Sequence, residues 1–156
     1  NLRDLTTSLS TIFEPTIQQK NLTYNCTLDI HHEQIICDRT KIREIFLNII
    51  SNSLKYMNKP KGVINIRLRD VGDFIQIEIE DNGKGIAQKD LANIFERFYR
   101  TDASRNSSKG GSGIGLSIVK KIMEDHGGQV WATSKEGTGT TMYLALRKYQ
   151  EVPVHE

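Results

Sequence analysis

The sequence has little of what a redox, membrane or nucleic-acid protein needs. It holds two cysteines, Cys26 and Cys37, and no Cys-x-x-Cys pair. A chain of 156 residues buries enough apolar surface to fold without a disulfide, so reduced thiols are expected. His31-His32 stands between the cysteines, but neighbouring side chains of an extended segment point to opposite faces, which argues against zinc there. No apolar run reaches the ~18 residues of a membrane span and no signal-peptide pattern opens the chain, so this stretch is expected to be soluble. Charge is nearly balanced, with 21 basic and 19 acidic residues and a net charge of +2, too even to argue for a nucleic-acid surface. The chain opens on Asn1 rather than Met, as a piece of a longer protein would. With 37% hydrophobic and 26% charged residues, the composition is that of one globular domain, expected over residues 1–150 with a frayed tail at 151–156.

Apolar periodicity gives the elements. Leu2, Leu5, Leu9, Ile12 and Phe13 predict a leading helix over residues 2–19 despite Pro15, and residues 22–30 and 34–37 read as short strands. Asp38 then caps a helix whose Ile42, Ile45, Phe46, Ile49, Ile50, Leu54 and Met57 form one broad stripe. Ile64, Ile66, Leu68 and then Ile75, Ile77, Ile79 alternate on either side of Asp70-Val71-Gly72-Asp73, predicting a hairpin with one buried face. A short helix through Leu91, Ile94 and Phe95 is expected next. Residues 99–112 follow, polar and nearly without apolar side chains, and are expected to be mobile. A helix opening on Gly115 and ending at His126-Gly127-Gly128, and strands over 129–134 and 139–147, complete a mixed α/β chain.

Three short segments carry chemistry. In GGSGIGLSIVKK, residues 110–121, glycines lead into a helix, a common way to offer backbone amides to phosphate. Leu116-Ser117 after Gly115 excludes a P-loop, and the polar segment before the glycines excludes a dinucleotide fingerprint. In REIFLNIISNSLKY, residues 43–56, Asn48, Asn52 and Lys55 share one side of a helix. Amide oxygens suit a magnesium ion that also holds phosphates, which the lysine would help neutralise; taken alone, an ordinary polar helix face accounts for them better. In FIQIEIEDNGKGI the inward parity of Ile75, Ile77 and Ile79 continues to Asp81, so a carboxylate arrives on the buried side just before Gly83 and Gly85. It needs a hydrogen-bond partner there. The exocyclic amine of adenine would serve, and so would a turn that the aspartate caps.

Taken in order, Asn48-x3-Asn52-x2-Lys55-Tyr56, Asp81-x-Gly83-x-Gly85-Ile86, IFERFYR, Gly111-Ser-Gly113-Ile-Gly115-Leu116 and Glu136-Gly-Thr-Gly-Thr140 resemble the catalytic ATP-binding domain of sensor histidine kinases, within the Bergerat-fold superfamily. The resemblance spans nearly the whole chain. It implies a two-layer α/β sandwich, a mixed sheet covered by helices on one face, with residues 99–112 as a flexible ATP lid carrying Arg105 and Lys109. It implies ATP and Mg2+ as cofactors. By it, Asn52 matches the magnesium ligand, Asn48 its upstream partner, Lys55 and Tyr56 phosphate and adenine contacts, and Asp81 the adenine reader beside Gly83, Gly85 and Ile86. Phe95 and Phe98 match the aromatics that anchor the lid, Tyr99-Arg100 the pair whose arginine faces the phosphates, and Gly111, Gly113, Gly115 and Leu116 the second glycine box; Thr140 lies in the last motif. Asn48, Lys55 and Arg100 are thus the expected catalytic set.

The acceptor histidine of such kinases lies in a separate dimerising hairpin, in a setting that none of His31, His32, His126 and His155 has. The chain therefore resembles the catalytic part alone, with the dimerisation and phosphoacceptor domain absent. The implied partners are that domain and a downstream response regulator, with no nucleic acid. The isolated domain is expected to be a monomer and cytoplasmic, its parent a homodimer anchored in the bacterial membrane. A clamp ATPase, an anti-sigma serine kinase and a non-catalytic nucleotide sensor are the rivals. The first two typically place a glutamate general base four residues before the magnesium asparagine, where this chain has Asn48, and an amide takes no proton.

Overall fold

The computed structural model describes residues 1–31, 38–96 and 115–148. Helix α1 (Leu2–Gln19) starts where the Asn1 side chain accepts the Asp4 N–H at 3.0 Å, and it buries Leu2, Leu5, Leu9 and Phe13. Pro15 lies within it. Strand β1 (Thr23–Asp29) follows, and then α2 (Arg39–Lys55), capped by the Asp38 carboxylate on the Lys41 N–H at 3.2 Å. Its apolar stripe, Ile42 to Leu54, is buried as the periodicity requires, and the helix stops at Tyr56 before Pro60 and Gly62.

Strands β2 (Val63–Val71) and β3 (Phe74–Asp81) form the expected hairpin. Strands β4 (Gln129–Lys135) and β5 (Gly139–Arg147) close the chain after α4 (Gly115–Asp125). Sheet order is β1-β2-β3-β5-β4, with β1 parallel to β2 and every other pair antiparallel. The parallel pair needs a crossover, which α2 supplies. In register, Ile66 faces Ile79, and Ile79 faces Met142, so one sheet face is a continuous apolar layer. Helices α1, α2 and α4 cover that face, and Phe46, Ile49, Ile50, Ile79, Val119 and Leu144 join in one core.

Two details depart from the periodicity. The short helix α3 is only Gln88–Leu91; residues 92–95 continue as turns bonded three residues back, Asn93 N–H to the Asp90 carbonyl at 2.9 Å and Glu96 N–H to the Asn93 carbonyl at 3.0 Å, although Ile94 is still buried. Glu78 has outward parity yet is 5% exposed. Arg67 and Arg69 fold over it from β2, with N–O distances of 2.9 and 3.1 Å. Burial pushes its carboxyl up, but Arg67, Gln76 and Arg69 outweigh burial and hold it below the usual carboxylate range. The expected strand at 34–37 and the tail at 151–156 lie outside the described residues.

Candidate functional site

The site forms where β3 ends beneath the C-terminal half of α2. The strand carries Asp81 to that point with the core parity, and its neighbour across the ladder is Thr140 of β5. One carboxylate oxygen, Oδ1, accepts the Gly83 N–H at 2.9 Å, and Oδ2 accepts the Ser53 hydroxyl at 2.9 Å. Burial pushes the Asp81 carboxyl above its ordinary value, and the donors Gly83 N–H, Ser53 hydroxyl and Thr140 N–H oppose that shift. A half-sheltered carboxylate with donors on both oxygens keeps acceptor capacity and, while ionised, has no proton to give.

The glycines explain how three segments meet. Gly83 runs against the end of α2, where an added Cβ would lie 2.9 Å from the Tyr56 carbonyl oxygen, and Lys84 N–H bonds that same oxygen at 3.3 Å. Gly85 has φ +74°, which favours glycine, and a Cβ there would strike the Lys135 carbonyl. The turn after β4 is thereby docked on the loop after β3: Gly137 N–H donates to the Lys84 carbonyl at 2.7 Å, and Lys59 reaches the Gly137 carbonyl from beyond α2. Ile86 N–H donates to the Ser134 hydroxyl at 2.8 Å, and Ser134 lies 2.8 Å from the Thr140 hydroxyl. Ile86, Leu116 and Phe95 pack on the core, and Gly115 opens α4.

Asn48, Asn52 and Lys55 of α2, and Tyr56 at its C-terminal cap, are all half-buried. The Lys55 and Lys84 ammonium groups lie 5.4 and 4.3 Å from the Tyr56 ring centre, a cationic cluster at the helix end. The donor set fits magnesium: two neutral amide oxygens, partly open to water, suit an ion that keeps several waters and binds through few protein ligands plus phosphates. Phe98, Tyr99, Arg100, Gly111 and Gly113, with the rest of 99–112, lie outside the described residues. A cavity of about 460 Å³ on the sheet face away from the helices, lined by Asn65, Glu80, Thr133 and Thr141, also reaches Asp81, Ser134 and Thr140 at the strand ends but includes none of the α2 residues. Sequence reading missed Ser53, Ser134 and Lys59. Ser53 had a usable signal, a hydroxyl on the apolar side of α2 that needs a partner.

The sequence profile described as "Histidine kinase-, DNA gyrase B-, and HSP90-like ATPase" matches residues 37–150. The chain belongs to this family. Among curated proteins, this ATPase-family chain is similar to the sensor histidine kinase WalK of Bacillus subtilis (strain 168), 41% identical over 73% of the chain and 19% of that protein. It is also similar to the sensor protein kinase WalK of Staphylococcus aureus, 40% identical over 70% of the chain and 26% of that protein. It thus matches about a fifth to a quarter of these relatives' length. Among solved structures, the nucleotide-free catalytic domain of histidine kinase ThkA superposes with a TM-score of 0.82 at 26% identity, covering 96% of this chain and 93% of that one. That domain shares the two-layer arrangement of a mixed sheet under helices.

Proposed function

We propose that this chain binds Mg-ATP and donates the γ-phosphoryl group to a histidine on a separate dimerisation domain of a two-component sensor kinase. The observation that carries this reading is Asp81, an acceptor at the end of a core strand, held from both sides beneath a helix that presents Asn48, Asn52 and Lys55. Base recognition at the end of β3 and phosphate handling on α2 are thereby joined through the Ser53–Asp81 contact. Similarity to sensor histidine kinases supports the kinase over the clamp ATPase, and so does the amide at position 48. A ThkA chain in complex with the response regulator TrrA, similar to this one at 25% identity with a TM-score of 0.77, supports a response regulator as the downstream partner. Among the described residues no helix is long and apolar enough to cross a membrane.

The chemistry asks for positioning and charge neutralisation. The acceptor imidazole already has a lone pair on its unprotonated nitrogen, so a new N–P bond forms as the bond from the γ-phosphorus to the bridging oxygen breaks, and ADP leaves with that electron pair. Lys55, and Arg100 from the lid, would neutralise phosphate charge. Asn52, with Asn48 beside it, would hold magnesium, which when bound would screen the β- and γ-phosphate oxygens. Water would have to be deprotonated, and no carboxylate occupies position 48 to do it. Calorimetry should show ATP and ADP bound and GTP bound at least about a hundredfold more weakly, because guanine presents a carbonyl where Asp81 needs a donor. Equal affinity for ATP and GTP would overturn the reading of Asp81.

A further inference from the structure

Ser53 lies on the inner side of α2, 8% exposed, between Asn52 and Leu54. A buried helical serine commonly returns its hydroxyl to the carbonyl four residues back. Here the hydroxyl crosses to β3 and lies 2.9 Å from Asp81 Oδ2. The other donors to this carboxylate, the Gly83 and Thr140 N–H groups, belong to the backbone and persist whatever the side chains. Ser53 is a side-chain donor and can be lost by substitution.

We propose that Ser53 is a specificity-determining positioning residue, which by donating its hydroxyl to Asp81 Oδ2 keeps that carboxylate an acceptor and so restricts the site to bases bearing an amine. The inference rests on the proposed adenine-reading role of Asp81. An ionised carboxylate obliges the Ser53 hydroxyl to point its proton at Oδ2, so neither group offers a proton to a base carbonyl. A carboxyl carrying a proton would behave differently, since it could donate to the carbonyl of hypoxanthine or guanine. Burial already favours that protonated form, and Ser53 is one of the donors opposing it. Loss of the hydroxyl would therefore shift Asp81 toward the form that accepts the wrong base. Purely structural damage would weaken both bases alike.

Binding of ADP and of inosine diphosphate, which carries a carbonyl in place of the amine, is measured by calorimetry on this chain and on Ser53→Ala and Ser53→Thr. The wild-type chain is expected to prefer ADP. In Ser53→Ala the ADP-to-inosine-diphosphate preference is expected to fall about tenfold, the worth of one hydrogen bond to a charged group. Ser53→Thr, which keeps the hydroxyl, is expected to retain the preference. Equal loss of both ligands in Ser53→Ala, with the preference unchanged, overturns the role of Ser53 while leaving the adenine reading intact. A Ser53→Thr preference as low as that of alanine also counts against it. No preference for ADP in the wild-type chain overturns the adenine reading itself, and this inference with it.

Discussion

Asn52→Ala is expected to lower phosphoryl transfer by about three orders of magnitude, the scale on which positioning and charge neutralisation act at a phosphoryl group. The same variant should bind ADP in the absence of magnesium within about threefold of wild type, because Asp81 and the Gly83 backbone are untouched and, in the proposed role, would hold the base independently of the phosphates. The split is the informative part. Asn52 lies on the half-buried side of α2, one residue from the buried Ser53, so a general loss of binding would mean that the helix had been damaged. Transfer within tenfold of wild type would show that Asn52 holds no essential metal. Parallel rates with labelled ATP and metal-free calorimetry decide between these outcomes.

Asp81→Asn is expected to remove ATP binding, by at least about a hundredfold, while leaving the fold as stable as before or more so. An asparagine side chain can keep the Gly83 and Ser53 contacts, its oxygen on the Gly83 N–H and its amide on the Ser53 oxygen, but the acceptor that a base amine would use is replaced by a donor. The stability half follows from linkage. Unfolded, Asp81 titrates near its ordinary value of 3.8, and folded it titrates above that. Its contribution is therefore full below the unfolded value and is lost as pH rises through the raised folded value. At neutral pH the buried charge is a cost that asparagine does not carry. The urea midpoint of Asp81→Asn should equal or exceed that of wild type near neutrality, and its advantage should shrink as the pH falls toward 3.8. A variant that binds ATP normally, or one destabilised at neutral pH and relatively better at acid pH, would contradict the placement of Asp81.

What periodicity could deliver, it did, for a physical reason. The stripe from Ile42 to Leu54 and the alternation through Ile75, Ile77 and Ile79 each have one face to bury, so pattern and burial are the same fact. Strand parity even carried Asp81 to its place. Contacts between segments distant in the chain were not legible. The Ser53 hydroxyl on Asp81 joins residues 28 positions apart, and the Ile86 N–H on Ser134 joins residues 48 apart. Nor could alternation show that Glu78 is buried, since that depends on two arginines of the neighbouring strand closing over it. Helix α3 fell short of its expected length because Asn93 joins turns bonded three residues back. The roles of Phe98, Tyr99, Arg100, Gly111 and Gly113 rest on the resemblance, because residues 97–114 lie outside the described structure.

In the proposed function the chain places a γ-phosphoryl group for a histidine and does not activate water. Incubation with γ-labelled ATP, alone and with the histidine-bearing dimerisation hairpin of its parent kinase, separates transfer from hydrolysis. Label on the hairpin that is acid-labile and base-stable, as a phosphorus–nitrogen bond is, is expected, with negligible free phosphate from the chain alone. Rapid release of phosphate without the hairpin, or acid-stable label on a serine, would contradict it.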